Sequence, residues 1–472
     1  VFLGLEMIKF GTDGWRAVIA DEFIFENVSK LAQAVADYIK GVKTDANIVI
    51  GYDTRFLSDK FAERCAEVMA ANGINVLLSD KPCSTPIVSF TIKMRKLFGG
   101  IMITASHNSP NFNGFKYKAE YAGPAEKDLT DKFESLIGKS PVKQMPIEKA
   151  KSSGLVKTRD LSKPWVEFIK GYIDFALIKK QNYSIVVDSM YGASGGFVAP
   201  FLESMGLKVT ALHAERNPGF GGTAPEPIEK NLKDLLFVMK KGKYDLGIAL
   251  DGDVDRVGIV RPDGVYMNAH LALSHIILHL SEDKKWKGAV VKTVALTFLI
   301  DRICEKNKIK LYETPVGFKH ICKLMREEDI LTGGEESGGF GFKNYVPERD
   351  GILAGLLILE MMAYRKKTLT QIIQETEKEY GKFCYKREDC EYPDEKKKTL
   401  FEGLKKDTPK KLAGVDVKEF SAKDGAKLIA KDGSWLLYRL SGTEPILRIY
   451  VEASSDARVA AIMKEAKTIA GI

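Results

Sequence analysis

Residues 244–256 read YDLGIALDGDVDR. An apolar run from Leu246 to Leu250 leads straight into three acids spaced two apart, Asp251, Asp253 and Asp255. A short apolar run without polar alternation fits a strand covered on both faces, as in the parallel sheets of α/β proteins. In such sheets ligands gather beyond the carboxyl ends of the strands, which is where these acids fall.

Working outward, this strand is the third of a set. "YSIVVDSMYG" from Tyr183 and "GLKVTALHAE" from Gly206 precede it, with helix-length segments between. The same succession runs through "NIVIGYDTR" from Asn47, "GINVLLSD" and "GGIMITASHN", and again through "GAVVKTVALT" from Gly288, "NKIKLYETPVG" and "DILTGGEESGG". Each third strand ends in a polar cluster. The pattern predicts three similar mixed α/β sandwich domains whose equivalent loops converge on one central cleft, although the rhythm alone also fits unrelated α/β units. From about residue 380 it changes. "AKLIAKDGSWLLYRLS" reads as two strands around an Asp-Gly turn, "ILRIYVEA" as another strand, and "SDARVAAIMKEAKTIAG" as a helix, which together make a C-terminal α+β domain. The expected domains are 1–160, 161–262, 263–378 and 379–472.

The 472-residue chain is 45% apolar and 28% charged, a globular balance with ample core. Its net charge of +8 suits small anionic ligands. The lysines of "DEKKKTLFEGLKKDTPKK" are mixed with acids and lack the interleaved aromatics of nucleic-acid grooves, so no nucleic-acid partner is expected. Six cysteines, at 65, 83, 304, 322, 384 and 390, show no CxxC or zinc spacing and fit reduced thiols in a cytoplasmic protein. "GILAGLLILEMMAY" is interrupted by Glu360 and falls short of the roughly 20 residues of a membrane span, so no membrane is expected either. No signal peptide is evident. Met7 is read as the native start, since "VFLGLE" before it carries no evident role.

Several clusters carry chemistry. Three close carboxylates repel unless a cation joins them, and hard oxygen ligands suit Mg²⁺. A calcium EF-hand loop fails on spacing, because the sixth position is Arg256 and the twelfth Pro262. The competing reading is an acidic turn closed by Arg256. Ser106, in "ITASHNSPNFNGFKYK", ends a strand, but its surroundings are not the G-x-S-x-G of a hydrolase elbow, and His107 is poorly placed to deprotonate its own neighbour. A serine near a metal loop and Lys116 can carry a phosphoryl group; a turn serine bonded to its own backbone is the alternative. In "GGEESGGFGF", Glu335 and Ser337 can hold two sugar hydroxyls, although Gly-rich acidic loops are common. In "RLSGTEP", Arg439, Ser441, Gly442 and Thr443 form a nest of donors for a phosphate dianion, with Arg448 on the next strand, or else an ordinary hairpin end. "FGTDGWRAVIADEF" flanks Arg16 with Gly11 and Gly14, as a structural turn would. His275 and His279 lack a third ligand.

The ordered set "FGTDGWR", "TASHN", "NGFK", "DGDVDR", "GEESGG" and "RLSGTEP" resembles the α-D-phosphohexomutases, the family of phosphoglucomutase and phosphomannomutase, over nearly the whole chain. The resemblance implies four domains around a cleft and an isomerase that interconverts hexose 1-phosphates and hexose 6-phosphates through a phosphoserine and a 1,6-bisphosphate that turns over in the site. Ser106 is then the phosphoserine, and Asp251, Asp253 and Asp255 hold Mg²⁺ together with it. Lys116 acts as general acid or base, Arg16 and Arg256 supply charge, and His107 orients the reacting groups. Glu335 and Ser337 grip the sugar and Lys319 contacts it. Arg439, Ser441, Gly442 and Thr443, with Arg448, hold the far phosphate. Glucose 1,6-bisphosphate or mannose 1,6-bisphosphate is the implied activator, hexose phosphates are the partners, and the state is monomer or homodimer. Val254 and Ser109 depart from the commonest pattern. Gly339 replaces a His frequent in phosphomannomutases and phosphoglucosamine mutases, and "TPVGFKH" lacks the Asp familiar in the latter. These departures lean toward glucose or mannose, with phosphoglucosamine mutase and a Mg²⁺-dependent sugar phosphatase as alternatives.

Overall fold

A computed structural model of the protein describes residues 8–11, 13–440 and 446–472. The first sheet has the strand order Trp15–Val18, Phe112–Ala119, Gly99–Ile103, Asn47–Tyr52, Asn75–Ser79, Val156–Arg159. The second runs Tyr266–Met267, Val257–Val260, Leu246–Leu250, Ser184–Asp188, Lys208–Leu212, and the third Leu311–Thr314, Ala289–Thr293, Ile330–Gly334, Phe340–Phe342. In all three, the first strand of the repeat lies parallel between the second and the third. A further strand then returns antiparallel on the third.

This return strand makes the sheets mixed rather than wholly parallel, and it decides the geometry of the polar clusters. Each cluster is the turn of a hairpin, at 104–111, 251–256 and 335–339, fastened at both ends to a sheet. The return strands, such as Val257–Val260 and Phe340–Phe342, are short and buried, so no alternation marks them in the sequence. The expected limit at 262 would divide the pairing of Val257–Val260 with Tyr266–Met267, and that at 378 would cut the Leu369–Tyr380 helix. We propose limits near 160, 268 and 381 instead.

The core explains why the hairpin turns face one another. The Thr85–Arg95 helix of the first repeat buries Ile87, Val88 and Phe90 in the same cluster as Trp165, Ile248 and Leu353 from the second and third. The Gly351–Arg365 helix is apolar on every face except for Glu360, which His279 and Lys284 pair, and it is buried through Ala363, as such a helix must be. Its first turn rests on the acidic loop: the Gly351 N–H donates to Val254 O at 3.0 Å, and a Cβ on Gly351 would lie 2.4 Å from Arg256 O. Asp350 caps this helix through the Leu353 N–H at 2.9 Å and accepts from the buried Trp165 indole at 3.1 Å.

The C-terminal sheet is antiparallel, in the order Cys384–Glu391, Ile446–Ala453, Trp435–Leu440, Ala426–Ala430, Val415–Ser421, Lys411–Leu412. The Asp456–Ala470 helix covers it, capped by Ser455 and ended by Gly471 at φ 69°. Its edge strand Cys384–Glu391 was hidden by its charges, which guard an exposed edge against further pairing. No cysteine is in a disulfide, and no helix among the described residues is long and apolar enough to cross a membrane.

The acidic loop and the serine loop meet at Gly252, where a Cβ would lie 2.5 Å from Ser106 O. Gly252→Ala is expected to lower unfolding stability by about 1–3 kcal/mol, measured by urea denaturation; an unchanged midpoint would contradict this packing.

Candidate active site

Ser106 follows the Gly99–Ile103 strand with φ 51°, a left-handed conformation uncommon for a residue with a Cβ. Its N–H donates to Thr104 Oγ1 at 2.9 Å, and its own Oγ donates to Asp251 Oδ2 at 2.9 Å. The twist also brings His107 Nδ1 to 3.3 Å from Ser106 Oγ, close enough to orient the hydroxyl. Burial, reinforced by Arg256, Arg16 and Lys116, pushes the His107 pKa well down, so its ring is neutral at neutral pH. Arg16, on the Trp15–Val18 strand, donates to Asn108 Oδ1 at 2.6 Å and so joins the serine loop.

Asp251, Asp253 and Asp255 are fully buried, with ligand atoms within 4.8 Å of one another. Between them Val254 adopts φ 68°, a costly conformation for a β-branched residue, and its side chain goes into the apolar core, away from the acids. Burial raises the Asp251 pKa well above the carboxylate range, and its two acidic neighbours raise it further. Burial opposes ionisation of Asp253 as well, but Lys116 and the Thr85 hydroxyl outweigh it and hold that carboxyl low. Asp253 Oδ1 and Asp255 Oδ1 have no hydrogen-bond partner. Buried, unpartnered carboxylate oxygens are costly, and a hard divalent cation is the partner their chemistry and convergence suit. The donor set fits such a metal.

Lys116 lies 2.8 Å from Asp253, 3.0 Å from Asp13 and 3.4 Å from Asp255. Burial disfavours its charge, but these three carboxylates prevail and raise its pKa above the ordinary lysine value. Arg256 donates its backbone N–H to Asp251 Oδ1 at 3.0 Å, and its side chain stands 3.7 Å from Glu226.

Glu335 accepts the Gly317 N–H at 3.0 Å, which sets the 335–339 loop against the start of the Phe318–Glu327 helix where Lys319 sits half-buried. Burial pushes the Glu335 carboxyl up to about 7. Ser337 is half-buried in the same turn. Asp424 accepts from Val316 N–H at 2.8 Å and from Arg439 Nε at 2.7 Å, tying the C-terminal domain to this loop. Arg439 and Arg448 stand opposite each other on paired strands, and Arg448 is 3.8 Å from Asp389. Ser441, Gly442 and Thr443 lie outside the described residues.

Sequence reasoning overlooked the residue that joins three of these loops. Arg349, 6% exposed, reaches Asp13 at 2.8 Å, Asp255 at 2.6 Å and Glu335 at 3.7 Å. A Cβ on Gly339 would lie 2.4 Å from Arg349 Cδ, so this arginine packs directly against the glycine and leaves no room there for a side chain. Asp13, Thr85, Lys118 and Glu348 were missed too. Thr85 Oγ1 donates to Asp253 at 2.5 Å, and Lys118 bridges Glu348 at 2.6 Å and Asp13 at 3.2 Å. The only signal was that Asp13 falls inside "FGTDGWR" and Arg349 in "PERDG", a polar break before an apolar helix.

A buried serine beside three converging carboxylates that could hold a cation, ringed by lysine and arginine charges, is the set of groups a metal-assisted phosphoryl transfer requires. Models of all four phosphoglucomutase/phosphomannomutase domains match the chain: alpha/beta/alpha domain I at 7–142, domain II at 163–264, domain III at 269–380 and the C-terminal domain at 389–469. The chain belongs to the phosphoglucomutase/phosphomannomutase family. It is 30% identical to a phosphoglucomutase/phosphomannomutase of Thermococcus kodakarensis, covering 95% of each chain. It is 31% identical to a phosphoglucosamine mutase candidate of Pyrococcus furiosus, covering 97% of this chain and 96% of the other. The crystal structure of a phosphomannomutase candidate from Thermus thermophilus superposes with a TM-score of 0.87 at 36% identity over 99% of each chain.

A raised Asp251 pKa means that its contribution to stability is present at low pH and lost as pH rises through that raised value. Without metal, Asp251 therefore supports the fold less at neutral than at acid pH, and added Mg²⁺ is expected to raise the melting temperature at neutral pH. Asp251→Asn is expected to abolish the Mg²⁺ effect and weaken the pH slope in thermal-shift measurements; a Mg²⁺ response equal to the parent's would contradict the assignment.

Proposed function

We propose that this chain is a hexose-phosphate mutase, interconverting the 1- and 6-phosphates of glucose, mannose or both by way of a phosphoserine at 106. The observation that carries this is the 2.9 Å contact of Ser106 Oγ with Asp251 inside the three-aspartate cluster. Phosphorylated Ser106 gives its phosphoryl group to the free hydroxyl of a hexose monophosphate. The P–O bond to Oγ breaks, one to the sugar oxygen forms, and the proton from the sugar hydroxyl ends on Oγ. A Mg²⁺ held by Asp251, Asp253 and Asp255 supplies charge neutralisation at the transferring oxygens.

The protein's own residues do the remainder. Lys116 is fixed as a cation by three carboxylates, which suits stabilising the charge on the transferred group; work as general acid or base requires it to release a proton that those carboxylates hold in place. Neutral His107 orients Oγ. Arg16 and Arg256 add positive charge, Glu335, Ser337 and Lys319 hold the sugar, and Arg439, Ser441, Gly442, Thr443 and Arg448 hold the second phosphate. The bisphosphate then turns over and returns its other phosphate to Ser106. A trace of glucose 1,6-bisphosphate or mannose 1,6-bisphosphate serves as activator by rephosphorylating Ser106.

The amino-sugar alternative is kept open by the similarity to the Pyrococcus furiosus relative. Incubation with Mg²⁺, trace bisphosphate and, separately, the 1-phosphates of glucose, mannose, glucosamine and N-acetylglucosamine discriminates among them. Formation of glucose or mannose 6-phosphate is expected. Ser106→Ala is expected to lose turnover entirely, and Ser337→Ala to lose roughly fivefold, the worth of one hydrogen bond. Release of inorganic phosphate without any 6-phosphate would replace the mutase by a phosphatase.

A further inference from the structure

The serine loop is held in its left-handed turn by a side chain that no part of the reaction yet uses. Arg55 follows the Asn47–Tyr52 strand and is 0% exposed. Its guanidinium donates to three carbonyls of that loop and to the first of the strand that leaves it: Nη1 to Ser109 O and Phe112 O, each at 2.8 Å, and Nη2 to Ser106 O at 2.7 Å and Asn108 O at 2.6 Å. Nε lies 3.2 Å from Asp53 Oδ2, which neutralises the buried charge. Asp53 also accepts the hydroxyls of Thr104 at 2.6 Å and Ser58 at 2.8 Å, and Thr104 Oγ1 in turn receives the Ser106 N–H.

The loop is thus gripped from inside at both flanks of Ser106. The guanidinium also lies 5.0 Å from the centre of the Phe220 ring, which belongs to the domain that carries the acidic loop. A planar fork is the one side chain that can serve four acceptors in fixed directions; a lysine offers three donors on one atom and cannot span them.

We propose that Arg55 is a positioning residue of phosphoryl transfer: it fixes the backbone of residues 106–112 so that Ser106 Oγ faces Asp251. This rests on the mutase reading, because it assumes that Ser106 is the phosphoryl carrier. Arg55 touches no reacting atom, so its loss acts through the direction in which Oγ points. A misaimed nucleophile slows transfer while leaving the sugar and far-phosphate contacts in place.

The test is Arg55→Lys, which keeps the charge beside Asp53. Its kcat is expected to fall about 100-fold with KM changed by less than about threefold, and intact-mass measurement after bisphosphate treatment to show slower phosphorylation of Ser106. A kcat close to the parent's, or a loss confined to KM, would overturn the proposal. If the unaltered protein forms neither phosphoserine nor 6-phosphate, the mutase reading itself has failed, which is a separate result. Should the variant not fold, hydrogen exchange on the unaltered protein decides: the amides of Ser106, Asn108 and Phe112, which donate to Thr104 Oγ1, Ala105 O and Ser109 O, are expected to be strongly protected, and exchange at the rate of an unstructured peptide would refute a loop held by Arg55.

Discussion

Three carboxylates and a serine hydroxyl packed out of contact with water cannot stay together unless positive charge is supplied, and the cations that supply it come from widely separated parts of the chain. Lys116 enters from the strand after the serine loop, Arg349 from the turn before the buried Gly351–Arg365 helix, and each contacts Asp255. The acidic loop is therefore balanced only when three domains are assembled. Two aspartate oxygens remain without a hydrogen bond even then, which leaves a place for a divalent cation. Lys116 and Arg349, which join the domains, also line the proposed site of phosphoryl transfer, so folding and the proposed chemistry draw on the same charge balance.

The threefold repeat supplies the rigidity that this balance needs. A loop strung between a parallel strand and a helix can drift, whereas the turn of a hairpin is held by ladder hydrogen bonds on both sides. Each repeat offers such a turn, and the shared apolar core aims all three inward. The local cost is visible in the positive φ of Ser106 and Val254. Strain of this kind persists where the surroundings over-determine it, and here backbone contacts, buried side chains and ion pairs converge on the same few residues.

Much of this was legible in the sequence. The third strands announced themselves because an apolar run ended abruptly in residues that carry chemistry, and the repeat of that event located three loops. The return strands were not legible, since Phe340–Phe342 is too short to show a period. The Asp13–Arg349 pair joins residues 336 apart, and an isolated charge in a polar turn gives no sign of a partner so distant. The reach of His107 to its neighbour depended on a backbone angle that composition does not encode. Gly339 was legible only as a departure from the family pattern; its meaning, room for the Arg349 side chain, needed three dimensions.

The central claim is that Asp251, Asp253, Asp255 and the Ser106 side chain together form one cation seat. The most direct measurement is anomalous diffraction from crystals soaked in Mn²⁺. The account predicts a strong peak at about 2.0–2.3 Å from an oxygen of each aspartate and from Ser106 Oγ or its phosphoryl oxygen. Saturating Mn²⁺ with no density between these four residues would contradict it.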